Sequence, residues 1–367
     1  MRNKRHRQIS SVRTLVILQR TSFRKTGTTS RKQPISMMTA NKTVSSIKKI
    51  TAGQLTGVPM TLYFVLVLLG IGGNAMVILV VGNSVVRESG GGRNSDIILV
   101  NMALSNLLVS VMRNLMLVTM DFGLEVSSSK DWCQFMMGIW VWLRAANVWS
   151  TLFLSVFHFY TLKRTGPSIT SLNQSRGPSK ILIMCCSLIW TVNFFFSVPA
   201  FIYSTNGDKN ASETLMLVSS TTRPLLGCLW DFSSATSGLI FATTSMVIHE
   251  IIPIILMSTT NLGSLFILYT HGNAHRTANK GQDAPVIRRV PAERRAAKVI
   301  LALIVLFIIS WGVNVISVNY FNYNRGTASA DLLVIARFFN CAFTAFSPIV
   351  LAIGHRKIRE FMKSIVK

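Results

Sequence analysis

Arg113, Arg144, Glu250 and Arg337 are ionisable side chains set in stretches that are otherwise apolar, and His249 adjoins the glutamate. Trp140 lies four residues before Arg144 and Asn147 three residues after it, so in a helix all three share one face. An ionised group in hydrocarbon costs roughly 2.5–3.5 kcal/mol on insertion scales, so such groups turn inward. There they can pair with one another, reach backbone carbonyls, or hold a molecule of complementary charge. Catalysis is a poor fit. His249-Glu250 begins the HExxH pattern of zinc proteases, but Pro253 stands where the second histidine belongs. Gly90-Gly91-Gly92 lacks the Lys-Ser/Thr of a phosphate loop, and no G-x-S-x-G elbow occurs. The cysteines lack the close spacing of a zinc site. The reading is therefore not an enzyme, with no metal and no cofactor.

The elements that carry these residues follow from length and polarity. An α-helix rises about 1.5 Å per residue, so roughly 20 mostly apolar residues cross a hydrocarbon core of about 30 Å. Seven runs qualify: Val58 to Gly82, Asp96 to Met120, Cys133 to Leu162, Lys180 to Tyr203, Leu239 to Tyr269, Ala297 to Tyr320, and Asp331 to Gly354. The second is the weakest, because Asn101, Asn106, Arg113 and Asn114 interrupt it. Runs such as Leu301 to Ile309 are apolar at every position, which excludes the two-residue alternation of a membrane barrel. The fold class is an all-α membrane protein, a seven-helix transmembrane bundle.

Basic residues set the orientation, since cytoplasmic loops carry the excess of Lys and Arg. Of the 25 that follow residue 50, 18 lie in the first, third and fifth loops and after the last span. The alternate loops hold only Lys130, Lys209, Arg223 and Arg325. This places the N-terminal side outside the cell, the C-terminus in the cytoplasm and the protein in the plasma membrane. The formal net charge of +25 would suggest nucleic acid in a soluble protein. Here the cations border membrane spans, so they serve topology and contact with anionic membrane lipid, and no nucleic-acid partner is expected.

Orientation also fixes depth. Arg144 lies eleven residues past Cys133, about 16 Å down, and Glu250 reaches a similar depth on the fifth helix. Arg113 and Arg337 lie about 10 Å deep, so all four charges share the outer half. Trp140, Arg144, Asn147, Thr151, Ser155 and His158 form one polar stripe on the third helix, and Met246, Glu250, Pro253, Met257 and Asn261 a similar one on the fifth. Facing each other, the stripes would line an outward-opening cavity. Three arginines against one glutamate leave it positive, so an acidic or carbonyl-bearing ligand is expected. The expected contacts are Arg113, Trp140, Arg144, Asn147, His249, Glu250 and Arg337. The structural alternative is that Arg144 pairs with Glu250 while Arg113 and Arg337 reach carbonyls or the interface.

The ends divide the chain into a basic extension over residues 1–57, a helical domain over 58–354 and a short amphipathic tail over 355–367. The first 50 residues carry 13 Lys or Arg and no acid. That composition also fits a mitochondrial transit peptide, but the preferred expectation is a disordered tail or an over-extended start, with translation beginning at Met37, Met38 or later. Cys133 and Cys228 both face the oxidising side and are expected to form a disulfide bond. Asn210 heads a glycosylation sequon in the same outer loop.

With these features the chain resembles a G-protein-coupled receptor. It departs from the large rhodopsin-like class where His158-Phe159-Tyr160 replaces the usual Asp/Glu-Arg-Tyr, where Asn106 replaces an aspartate, and where Ser347-Pro348-Ile349 lacks Asn-Pro-x-x-Tyr. It is similar instead to the vomeronasal type-1 pheromone receptors and their fish relatives, the olfactory receptors related to class A. The matching pieces are Gly73-Asn74, the Leu-Arg-Ala-Ala-Asn run ending at Asn147, Leu154 to His158, Leu268 to His271, Pro291 to Ala296 and Phe346-Ser347-Pro348. Bitter-taste receptors share part of the pattern, but His158 to Lys163 and Glu293-Arg294-Arg295 favour the pheromone-type branch. The resemblance implies signal transduction by a transducer in olfaction. A small extracellular molecule would bind, the inner ends of the fifth and sixth helices would separate, and a heterotrimeric G protein would dock near His158, Lys163, Arg164, Arg294 and Arg295. A transporter or channel is the rival from another class, but no segment is repeated as many transporters require.

Overall fold

A computed structural model describes residues 57–87, 94–124, 129–164, 180–206, 221, 228–278, 290–323 and 330–365. Its seven long helices are α1 (Val58–Arg87), α2 (Asn94–Asp121), α3 (Lys130–Arg164), α4 (Lys180–Ile202), α5 (Ala235–Met246, continued through Val247–Ile251 into Ile252–Ala278), α6 (Val290–Tyr323) and α7 (Ala330–Gly354). All seven are long and apolar enough to cross a membrane. A short helix, α8 (Arg356–Ile365), follows the bend at His355. The chain is thus a multi-pass membrane protein built as a seven-helix bundle.

Burial ranks the helices from centre to rim. In the most apolar window of α3, 72% of residues are buried inside the protein, against 22% in α4. Accordingly α3 touches α2, α4, α5 and α6, while Ile183, Leu188, Val192 and Phe195 of α4 remain exposed. So wide an apolar belt is tolerable only where lipid covers it. The polar stripe expected on α3 is enclosed throughout: Trp140, Arg144, Asn147, Thr151, Ser155 and His158 are all buried. On α5 Glu250, Pro253, Met257 and Asn261 are buried and Met246 is half-buried, which fits the expected stripe there.

Close helix approach relies on small residues, as is usual where no hydrophobic force drives helices together in lipid. A methyl group at Gly73 of α1 would lie 2.8 Å from the ring of Pro348 of α7, and one at Gly138 of α3 would overlap Phe201 of α4. Between α3, α6 and α7 the core is aromatic. Phe307 stacks on Trp311 at 6.1 Å and meets Phe343 edge-on at 4.9 Å.

The connection from α4 to α5 adds a feature that the all-helical reading did not foresee. Strands β1 (Ser204–Asn206) and β2 (Cys228–Trp230) pair antiparallel, with Asn206 opposite Cys228. Cys228 is joined by a disulfide to Cys133 in the first turn of α3, which pins the hairpin to the bundle. Cys185, Cys186 and Cys341 remain free.

Irregular turns matter more for the site. A regular helix turns about 100° per residue, so adjacent side chains cannot both face the same neighbour. In α2 the stretch Ser110–Leu115 widens into a π-turn, and α5 does the same at Val247–Ile251. Each holds an adjacent polar pair, Arg113-Asn114 and His249-Glu250. The extra residue in each turn lets both members of the pair find partners within the protein.

Candidate functional site

The charged groups fall into three arrangements, the first two of which share Arg113. In the first, Arg144 of α3 is 3% exposed and its guanidinium lies over the indole of Trp311 on α6, 3.5 Å from the ring centroid. Trp140, one turn away, flanks it at 5.9 Å and also supports Arg113 of α2 at 5.0 Å. Two cations therefore share one indole. Nε and Nη2 of Arg144 make no hydrogen bond among the described residues, and no salt bridge within 4 Å is seen there between Arg144 and Glu250, the pairing weighed from the sequence. Cation–π contact of this kind compensates part of the lost hydration, about 2 kcal/mol when desolvated, but supplies no acceptor for the N–H groups.

The second arrangement ties α2 to α7. Arg337 forms a two-pronged ion pair with Asp121, one arm at 3.0 Å, and lies 4.1 Å from the ring centroid of Tyr63 on α1. Tyr63 donates to Oδ1 of Asn114 at 3.1 Å, and Arg113 donates to the same oxygen at 3.2 Å. The expected charge balance changes here. Asp121 pairs with Arg337, so among the described residues two carboxylates face the three arginines where the sequence suggested one.

The third lies on α5. His249 is 1% exposed, accepts a hydrogen bond at Nδ1 from Nε1 of Trp149 at 3.1 Å, and meets Phe196 of α4 edge-on at 4.5 Å. Glu250 is fully enclosed and its Oε1 accepts the backbone N–H of Thr221 at 3.0 Å. A residue of the connection between β1 and β2 thus reaches a carboxylate in the membrane-spanning part of α5.

Asn147, expected with the ligand contacts, gives its amide nitrogen to a mesh of polar side chains, while its Oδ1 is buried with no partner among the described residues. Its Nδ2 donates to Oγ of Ser105 at 3.1 Å and to Oδ1 of Asn106 at 2.7 Å. Asn106 in turn donates to Asn74 at 3.3 Å and Ser347 at 3.2 Å, and Asn74 donates to the carbonyls of Gly70 and Thr344 at 2.7 and 2.8 Å. This amide mesh joins α1, α2, α3 and α7 without a charged group.

Towards the opposite end, His158 is buried and Lys163 is exposed. The backbone of Arg164, Arg294 and Arg295 belongs to α3 and α6, but their side chains lie outside the described residues, as does Asn210. Asp96 at the start of α2 faces His355 at 3.4 Å, and Lys357 of α8 contacts Ser84 of α1. No group of three or more His, Cys, Asp or Glu side chains suited to a metal occurs among the described residues.

Sequence reasoning missed Asp121, Trp149 and Trp311. Asp121 stood one residue past the expected end of the second span, and nothing local to the two tryptophans marks their partners on other helices. The adjacent polar pairs did carry a signal, because two neighbouring polar residues inside an apolar helix conflict with a 3.6-residue period.

Seven long helices, a disulfide from the third helix to the connection between the fourth and fifth, and buried charges beneath it define a membrane receptor of the G-protein-coupled type. The model of the vomeronasal organ pheromone receptor family matches residues 58–364, and the chain belongs to that family. It is 40% identical over 311 residues to Olfactory receptor class A-like protein 4 of Danio rerio, covering 84% of this chain and 90% of that protein. Olfactory receptor class A-like protein 1 of Danio rerio is 24% identical over 80% of this chain and 88% of its own length. A shorter match, 26% identical over 39% of this chain and 27% of the other, is to Probable G-protein coupled receptor npr-8 of Caenorhabditis elegans. These relatives are receptors rather than enzymes, and the family is chemosensory.

Proposed function

We propose that the chain is a plasma-membrane receptor that binds a small extracellular molecule carrying an acidic group and then activates a heterotrimeric G protein. The disulfide-bearing end faces outward on this reading, consistent with the excess of Lys and Arg in the loops and tail at the other end. The observation that carries the ligand class is Arg144. Its guanidinium is enclosed, stacked on Trp311, and left with N–H groups that have no acceptor among the described residues. A buried donor that stays unpaired is destabilising, so a carboxylate or similar oxyanion that reached Nε and Nη2 would relieve a defect built into the bundle.

Arg113 adds a second cation across Trp140, and the surrounding indole rings and aliphatic side chains, Val109 and Met137 among them, supply the apolar walls that small-molecule sites need. Arg337 plays a different part. Its commitment to Asp121 makes it a tie between α2 and α7 that holds the rim of the site, while Glu250 anchors Thr221 beside it. Binding shifts the receptor towards signalling only insofar as the ligand favours one conformation over the other. Pro253, buried two residues beyond the π-turn of α5, is the proposed hinge through which the inner ends of α5 and α6 separate. His158, Lys163, Arg164, Arg294 and Arg295 then face the G protein, and α8 lies along anionic lipid with Ile358 turned into the protein.

The test is a calcium-coupled activation assay in cells expressing the receptor, screened with small acids, amines and steroids. Acids should activate the wild-type receptor, and Arg144→Gln should lose that response while retaining surface expression. Unchanged responses to every active acid in Arg144→Gln would refute the assignment.

A further inference from the structure

His249 is enclosed on the π-turn of α5, and the partner of its Nδ1 determines where its proton sits. An indole N–H donates and never accepts. The nitrogen that receives it, Nδ1 of His249, must therefore present a lone pair, which a protonated imidazolium lacks at either nitrogen. The ring is neutral, and its hydrogen is on Nε2. That Nε2–H group is buried and has no acceptor among the described residues.

The direction in which it is offered follows from the helices. Trp149 stands five residues beyond Arg144 on α3, about 140° round the helix and about 7.5 Å further along it. Arg144 faces α6 through Trp311, whereas Trp149 meets α5 at His249, whose ring edge packs on Phe196 of α4. The two nitrogens of an imidazole lie on opposite edges, so Nε2 turns away from Trp149. With the residue 1% exposed, it does so into the protein and not into lipid. Glu250 does not serve as the mate of this group, since Oε1 is held by Thr221 and no bond joins it to its neighbour.

We propose that His249 is a second anchor of the ligand site, a hydrogen-bond donor of fixed tautomer that selects molecules bearing an uncharged acceptor oxygen, as in a ketone, ester or ether. For ligands that also carry an acidic group, this rests on the reading that Arg144 holds that group, and the acceptor oxygen then sits deeper in the bundle than the acid. Trp149 acts as the positioning residue. By occupying Nδ1 it prevents the ring from turning acceptor towards the ligand, so an amine or alcohol donor at the same place is rejected. The selection is strong because a ligand lacking the oxygen leaves Nε2–H unpaired in the complex as well.

Two measurements on the full-length receptor test this. Selective ¹⁵N-histidine labelling reports the tautomer without any ligand, with the His249→Gln variant identifying the resonance. The Nε2–H form is expected, and finding the hydrogen on Nδ1 overturns the proposal. Binding is then measured by thermal shift for medium-chain carboxylic acids bearing a ketone, a methylene or an amine at matched positions, and for the corresponding neutral ketones and alkanes. The wild type should prefer ketone to methylene by about tenfold or more. His249→Gln, which keeps an N–H donor, should retain most of this, His249→Phe should abolish it, and Trp149→Phe should narrow the ketone-to-amine ratio. No ketone preference in the wild type, or the same preference in His249→Phe, overturns the assignment. A preference that persists among neutral ketones while Arg144→Gln leaves acid binding untouched keeps the His249 anchor and removes only the acidic-ligand reading.

Discussion

The amide mesh around Asn106 and the cation–aromatic cluster around Arg144 are both buried, both polar and one helical turn apart on α3, yet they are built on opposite principles. In the mesh, Asn74, Asn106 and Asn147 exchange hydrogen bonds with one another, with two serines and with two carbonyls. Charge is absent, and nearly every donor is used. In the cluster, charge is present in excess, and donors on Arg144, Trp140, Trp311 and His249 have no acceptor among the described residues. Satisfied polar groups in a membrane interior specify how helices pack, whereas unsatisfied ones leave room for a further partner, a ligand or water. The contrast teaches that polarity alone does not locate a site in this bundle; the state of the hydrogen bonds does.

The largest effect that can break this comparison is at Arg144. Arg144→Gln should weaken responses to acidic agonists by at least about thirtyfold, since one partner of a buried charge pair is removed. Its thermal midpoint in detergent should be unchanged or higher than wild type, because an uncompensated cation has gone. A large loss of stability instead would make Arg144 a packing residue like those of the mesh.

Asp121→Asn follows. It removes the charge that Asp121 sets against buried Arg337 and should destabilise the receptor by about 3–5 kcal/mol, with Asp121→Asn combined with Arg337→Gln recovering most of the loss. Denaturant titrations of the two variants measure this. Equal instability of the single and double variants would show that the pair is not the tie proposed between α2 and α7.

Asn106→Leu should cost about 2–3 kcal/mol, because it strands the partners of three hydrogen bonds at once, while agonist rank order stays fixed. A changed rank order would merge the two regions into one site. The smallest effect is expected at Ser155→Ala, which removes a single bond of 2.6 Å to Thr260 between α3 and α5. A shift of about 1 kcal/mol in unfolding free energy is expected, with no change in ligand selectivity.

Much of the fold could be read directly from the chain, because length and apolarity decide a membrane helix almost locally. The spans, the buried stripe on α3 and the gathering of Arg113, Arg144 and Glu250 at one end all follow from counting residues along helices. What could not be read were relations between helices. Nothing near Asp121 announces Arg337, which is 216 residues away, and nothing near Trp311 announces Arg144. Asn147 illustrates the complementary limit of a one-helix reading. Its place on the stripe was legible, but the amides that consume its Nδ2 come from another helix.

The widened turns of α2 and α5 make the number of residues in those helices a determinant in its own right. Deleting a single residue from Val247–Ile251 would tighten α5 into a regular helix while the segments on either side keep their faces, because the wide turn is what absorbs the extra residue. The change is local: with a regular turn of about 3.6 residues the histidine and glutamate could no longer both be housed inside. Among related chains, a one-residue gap at this place would therefore signify a receptor with a differently shaped interior, however similar its remaining sequence.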